Sequence, residues 1–171
     1  VPMPSSDPLI VTALFGDRDF AWLDGLRRQH FPRERNQVPA HLTLFHQLPP
    51  MLADEVTGLL KTMVRSHPRP PARIAAVMHL GGGVAFRVES DALAAIREDI
   101  AERFHGLLTV QDQQGWRAHV TIQNKVTGAE AKRLQVALAA DFAPRPLAIA
   151  GLAAWWYRGG PWEKLSAARF R

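Results

Sequence analysis

Apolar positions along the chain alternate between a period of two and a period near 3.6, which predicts strands and helices in turn. Leu9–Phe15 (LIVTALF) predicts a first strand. Residues 19–30, with Phe20, Leu23 and Leu26 on one stripe, predict a short helix, followed by a charged, Pro-bounded loop over 31–39. Residues 41–46 return to period two. Beyond Pro49-Pro50, residues 51–65 place Leu52, Val56, Leu59, Leu60 and Met63 on one helical stripe, until Pro68, Pro70 and Pro71 break it. Residues 73–80 and 84–88 predict strands joined at Gly81-Gly82-Gly83, a hairpin signal. Residues 91–104 predict a helix on Leu93, Ile96, Ile100 and Phe104, and 106–115 a polar loop. A further strand is expected over 119–124. Thr127 with Glu130 forms a capping box that opens a helix to about residue 142, ended by Pro144 and Pro146. Strands over 147–157 and 162–170 complete the chain, joined at Gly159-Gly160-Pro161.

The two halves of this pattern superpose at an offset of 78 residues. His41 maps to His119, Thr43 to Thr121, Pro68 to Pro146, and Gly81-Gly82 to Gly159-Gly160. The helices before the motif strands correspond approximately, 20–30 with 96–104. Two copies are too few for a solenoid. They imply a duplicated unit, with approximate repeats 9–83 and 84–171 forming two pseudo-symmetric lobes of one domain. A site on the pseudo-two-fold axis would receive one His and one Thr from each repeat.

Those residues sit in His41-Leu42-Thr43-Leu44 and His119-Val120-Thr121-Ile122. In a regular strand His and Thr share one face and the aliphatic residues the other. Two imidazoles form an acid–base pair, and two hydroxyls beside them suit phosphoryl oxygens. A single His-x-Thr is most often an ordinary half-exposed strand, but a His facing away from an aliphatic core has little packing reason to recur in both copies. Strand parity adds Phe45 to the face of His41 and Thr43, as an apolar or stacking surface. It adds Arg117, Gln123 and Lys125 to the face of His119 and Thr121. The same parity turns His46 away from His41. Gly81-Gly82-Gly83 lacks the Gly-Lys-Ser/Thr of a phosphate loop and reads as a tight turn. Trp155, Trp156 and Tyr157 could stack on bases, but core or rim packing is the commoner use.

Composition narrows the classes. The 171 residues are 47% hydrophobic, which suits one globular unit and argues against disorder. No apolar run approaches a membrane span. The Pro/Ser-rich start, residues 1–8, lacks a signal-peptide pattern, and Val1 is not expected to be the native first residue. The chain has no Cys, which excludes disulfides, thiolate zinc sites and a Cys nucleophile, and is compatible with a cytoplasmic setting. No His-x-x-x-His helix points to zinc. A net charge of +5, with 17 Arg against 4 Lys, fits an anionic ligand such as a nucleotide or RNA, and equally fits an Arg-biased genome.

Paired His-x-Thr motifs, one per half of a duplicated chain of this size, resemble the 2H phosphoesterase superfamily. The contexts Asn36–Phe45 (NQVPAHLTLF) and Trp116–Thr121 (WRAHVT) resemble its bacterial 2′-5′ RNA ligase-like branch. Ala118 stands where many relatives have Pro. The resemblance implies an α+β, bilobal fold of two mainly antiparallel sheets with outer helices and a central groove. It implies phosphodiester chemistry on RNA ends or cyclic nucleotides without metal or cofactor, His41 and His119 as the acid–base pair, and Thr43 and Thr121 as phosphate ligands. Arg117, Phe45 and Gln123 are further substrate-binding candidates from strand parity. The expected activity is opening of 2′,3′-cyclic phosphates, with possible reversal to 2′-5′ ligation. A non-catalytic RNA-end-binding module using the same groove is the alternative. A monomer without membrane contact is expected, with oligomeric state unreadable from sequence.

Overall fold

Each His-x-Thr segment lies on the edge strand of its own four-stranded sheet. The computed structural model describes residues 7–171; the first six residues of the Pro/Ser-rich segment lie outside the described residues. Strands β1 (Leu9–Phe15) and β2 (Leu42–Leu48) flank helix α1 (Asp17–His30). Helix α2 (Ala53–Ser66) leads to β3 (Arg73–His79) and β4 (Val84–Glu89). Helices α3 (Asp91–Arg103) and α4 (Val110–Gln113) precede β5 (His119–Gln123). Helix α5 (Gly128–Ala140) is followed by β6 (Arg145–Pro146), β7 (Ile149–Trp156) and β8 (Glu163–Arg169). Nearly every expected element forms. The four-residue α4 falls inside the expected loop 106–115, and β6 is two residues long. Both are too short to show a period.

The sheet orders are β2-β1-β7-β8 and β5-β4-β3-β6, and all pairs are antiparallel. Sheet boundaries therefore do not follow residue 83. The Gly81–Gly83 connection is short enough to keep β3 beside β4, while β7 returns to pair with β1. The fold is α+β, with two antiparallel sheets whose motif strands, β2 and β5, approach one another across a groove.

Helices cross over between the sheets. Trp22 of α1 stacks on Phe86 of β4 at 5.3 Å, so the helix before the first motif covers the second sheet. Arg97 of α3 and the short α4 reach β2, so the segment before the second motif meets the first sheet. One continuous core joins Leu42 and Leu44 of β2, Val120 and Ile122 of β5, Leu23, Leu60, Ile96 and Leu152. Helix starts follow sequence: Ser90 Oγ caps α3 through Leu93 N–H, and Thr127 Oγ1 caps α5 through Glu130 N–H.

Glycine is required at the hairpin. Gly81 has φ +86°, and a Cβ on Gly83 would fall 1.8 Å from the Gln123 carbonyl oxygen. The glycine run is thus a tight turn, and it also lets the hairpin press on the end of the second motif strand.

Two bulges at equivalent places break the strand parity. Thr43 pairs with Thr12 and Phe45 with Val11, which leaves Leu44 without a counterpart. Thr121 pairs with Ala85 and Gln123 with Val84, which leaves Ile122 without one. The irregularities preserve the 78-residue offset. An extra residue shifts the alternation by one, so side chains beyond it turn to the other face. Phe45 is accordingly in the core, with no exposed surface, rather than beside His41 and Thr43. Gln123 is also buried, not in the groove, and its Oε1 has no hydrogen-bond partner among the described residues. Both sequence expectations for substrate contact are corrected here, and for one reason. Lys125 lies past the end of β5, exposed, with φ +64°.

Candidate active site

The edge position of β2 and β5 leaves main-chain carbonyls without a neighbouring strand, and buried side chains take their place. Arg27 of α1 donates from Nη1 to the Thr121 carbonyl at 3.0 Å and from Nε to Asn36 Oδ1 at 2.9 Å. Arg97 of α3 donates from Nε to the Leu44 carbonyl at 2.9 Å and from Nη2 to the Asp112 carbonyl at 2.8 Å. Trp116 Nε1 donates to the Thr43 carbonyl at 2.9 Å. Each guanidinium also covers an aromatic ring, Phe31 for Arg27 and Phe45 for Arg97. Burial lowers Arg27 to about 10 against the opposing charge of Asp24, and it stays cationic at neutral pH. Burial lowers Arg97 too, with Asp112 and Glu98 opposing. The two arginines clamp the motif strands in a quasi-symmetric way. Neither was singled out from sequence, because a buried Arg on a helix has no periodic signature.

Held so, the motif side chains meet. His41, Thr43, His119 and Thr121 line one cavity of ≈ 200 Å³, together with Ile10, His46 and Trp162. His41 Nδ1 is 2.8 Å from the Pro39 carbonyl, and His119 Nδ1 is 2.7 Å from the Arg117 carbonyl. A carbonyl only accepts, so in both rings Nδ1 carries the hydrogen and Nε2 is left for the cavity. Each contact spans two residues, and the pair repeats the 78-residue offset.

His41 is half-buried and pushed down to about 4. Desolvation is the largest cause; the charges of Arg27, His119 and His46 add to it, and the Pro39 carbonyl opposes. At neutral pH this ring is an uncharged base. Arg117 serves the site through its carbonyl; its exposed side chain borders a separate depression with Met78, Arg87 and Trp116.

His46 is the third imidazole in the cavity, against the strand-parity expectation. The bulge at Leu44 and a second irregularity before Leu48 bring it round. Asp112 of α4 pins that irregularity. Its carboxylate accepts the His46 N–H at 2.9 Å and the Gln47 N–H at 3.0 Å, and lies 3.1 Å from His46 Nδ1. Burial pushes the Asp112 carboxyl up, but the His46 ring and the two N–H groups outweigh it and hold it below its ordinary value. Trp162 was also missed. Its ring lies 4.6 Å from His41; it stands just before β8, at the start of the strand expected over 162–170, and a strand-end aromatic carries no signal for a site. Of the aromatic trio, Trp156 packs on the core, Tyr157 is exposed, and Trp155 donates to Thr12 Oγ1 at 2.9 Å near Trp162.

A family model, the 2′-5′ RNA ligase superfamily, matches residues 15–161, a span that contains both histidines and both threonines. The chain belongs to that superfamily. Its members are phosphoesterases of the 2H type, which accords with the doubled motif. Solved structures share the superfamily fold. TT0787 of Thermus thermophilus is 15% identical with a TM-score of 0.61, covering 96% of this chain and 98% of its own. E. coli LigT in apo form is 13% identical with a TM-score of 0.57, covering 96% and 97%. LigT complexed with 3′-AMP is 13% identical with a TM-score of 0.54, covering 97% and 99%. No curated protein matches significantly. No helix among the described residues is long and apolar enough to cross a membrane.

Proposed function

We propose that this superfamily member is a metal-independent phosphoesterase that opens 2′,3′-cyclic phosphates of RNA ends or nucleotides. One observation carries the reading: two imidazoles with Nδ1 tied to main-chain carbonyls and two threonine hydroxyls line a single small cavity. A cyclic phosphodiester opens by in-line attack of water. His41 Nε2, uncharged at neutral pH, takes the proton from the attacking water. The P–O bond to one ribose oxygen breaks, and His119, in its protonated form, gives that oxygen a proton. Thr43 and Thr121 donate to the phosphoryl oxygens as charge grows on them. His46, with Nδ1 turned to Asp112, adds an N–H donor beside the two hydroxyls when protonated. The products are a phosphomonoester and a free hydroxyl. With a ribose 5′-hydroxyl in place of water as the attacking group on a 2′,3′-cyclic end, the P–O3′ bond breaking and the 3′ oxygen taking the proton, the same groups would form a 2′-5′ link. LigT, complexed with 3′-AMP, has the same fold, which is consistent with a nucleotide-sized substrate.

Product analysis with 2′,3′-cyclic nucleotides and 2′-5′-linked oligonucleotides, in excess EDTA, tests this reading. Stoichiometric nucleoside monophosphate that survives the chelator is expected. Salt-sensitive RNA binding with no product would replace it with the end-binding module.

A further inference from the structure

A second cavity, ≈ 360 Å³, opens on the far side of the same two rings, His41 and Trp162. Alternation along β1 explains its floor. Ile10, Thr12 and Leu14 face away from the core, Ile10 toward the cavity with the paired histidines and Thr12 and Leu14 toward this one. Trp155 and Trp162 form one wall, their centroids 6.4 Å apart. Phe20 of α1, Val38 and Pro161 supply apolar surface around the rest. Polar groups are few. Thr12 Oγ1 already accepts from Trp155, and the other polar side chain there, apart from His41, is Gln37.

Size and continuity indicate how the two cavities are used. Pockets that hold small organic ligands run from about 300 to 1,000 Å³. The cavity between the histidines, at ≈ 200 Å³, is below that range and suits a phosphate with part of a ribose. Its neighbour is within the range and shares a wall with it, so a ligand whose phosphate sits in the first reaches the second within one nucleoside. We propose that the second cavity receives the nucleobase of the substrate, resting on the phosphoesterase reading above. Indole walls recognise the face of a flat ring rather than its edge. The site therefore distinguishes a base from no base, and separates one base from another only weakly.

Steady-state kinetics on the full chain tests this with three cyclic diesters: 2′,3′-cyclic AMP, 2′,3′-cyclic CMP and glycerol 1,2-cyclic phosphate, which carries no base. The expected kcat/KM is about 10- to 100-fold higher for both nucleotides than for the glycerol compound, mainly through KM, as one stacked base would give. The two nucleotides should lie within about fivefold of each other. Leu14→Trp fills the cavity from its floor, and Val38→Phe fills it from the loop, so the test survives if one variant fails to fold. Either should bring the nucleotides down to the glycerol compound while leaving the latter within about twofold of the parent. Equal rates for all three substrates in the parent, or a preference that persists in a folded, filled variant, would overturn the inference and leave the phosphoesterase reading standing. Equal acceleration by hexane-1,2-diol cyclic phosphate would assign the cavity to an aliphatic group and also overturn it. Inertness toward every cyclic diester would overturn both.

Discussion

Acidification should destabilise the folded chain through His41, with burial of His30 acting in the same direction. In the unfolded chain that imidazole titrates at its ordinary value of 6.5, and in the fold it is pushed down to about 4, mainly by desolvation. Between those values the unfolded chain binds a proton that the folded chain refuses, so stability falls as the pH drops through that window. Above it the contribution is fully present. The whole shift corresponds to about 3 kcal/mol, of which about 2 kcal/mol is lost between pH 7 and pH 5. Solvent at the cavity mouth screens part of this, so about 1–2 kcal/mol is the working expectation. Urea unfolding followed by circular dichroism, in half-unit steps from pH 7.5 to 4.5, measures it on the parent and on His41→Gln. Gln is polar and cannot titrate. The difference between the two chains removes the carboxylates they share. Phosphate buffer must be avoided, because an anion between the histidines would stabilise the protonated ring. The stability of His41→Gln relative to the parent should rise by about 1–2 kcal/mol from pH 7 to pH 5. A flat difference would refute the reasoning that His41 is held neutral by its surroundings.

Two substitutions test the bulges that reshaped the site. Asp112→Asn removes the charge that receives two N–H groups and the His46 ring, and should cost about 2–4 kcal/mol at neutral pH by urea unfolding. Because the folded carboxyl is held below its ordinary value of 3.8, that cost should shrink as the pH falls below 3.8. Phe45→Ala should cost about 3–5 kcal/mol of stability, as a core ring does, while KM for a cyclic nucleotide in the folded variant stays within about twofold. A large KM effect with little loss of stability would restore Phe45 to the groove.

Most of the architecture was legible because the chain keeps period two and period 3.6 in separate, well-punctuated segments. The duplication was legible because His41, Thr43, Pro68 and Gly81 each recur at one offset. Parity failed one residue beyond each threonine. A bulge inserts a single residue without changing composition, and Leu44-Phe45 or Ile122-Gln123 reads equally well as regular strand. Parity alone thus puts Phe45 and Gln123 in the groove and His46 away from it, whereas the bulges turn the first two into the core and bring His46 to the cavity. Asp112, Trp162, Arg27 and Arg97 were hidden for another reason. Their roles come from contacts between distant segments, such as the reach of Arg27 to the Thr121 carbonyl, which no local pattern encodes.

The central claim is that His41 and His119 act as one acid–base pair in a cavity both rings line. Turnover of 2′,3′-cyclic nucleotide by His41→Ala, His119→Ala and the double variant, each shown folded by circular dichroism, tests it most directly. The account predicts that each single substitution lowers kcat by about 10²–10⁴-fold and that the double loses little more than the worse single. Full activity in either folded single variant would contradict it.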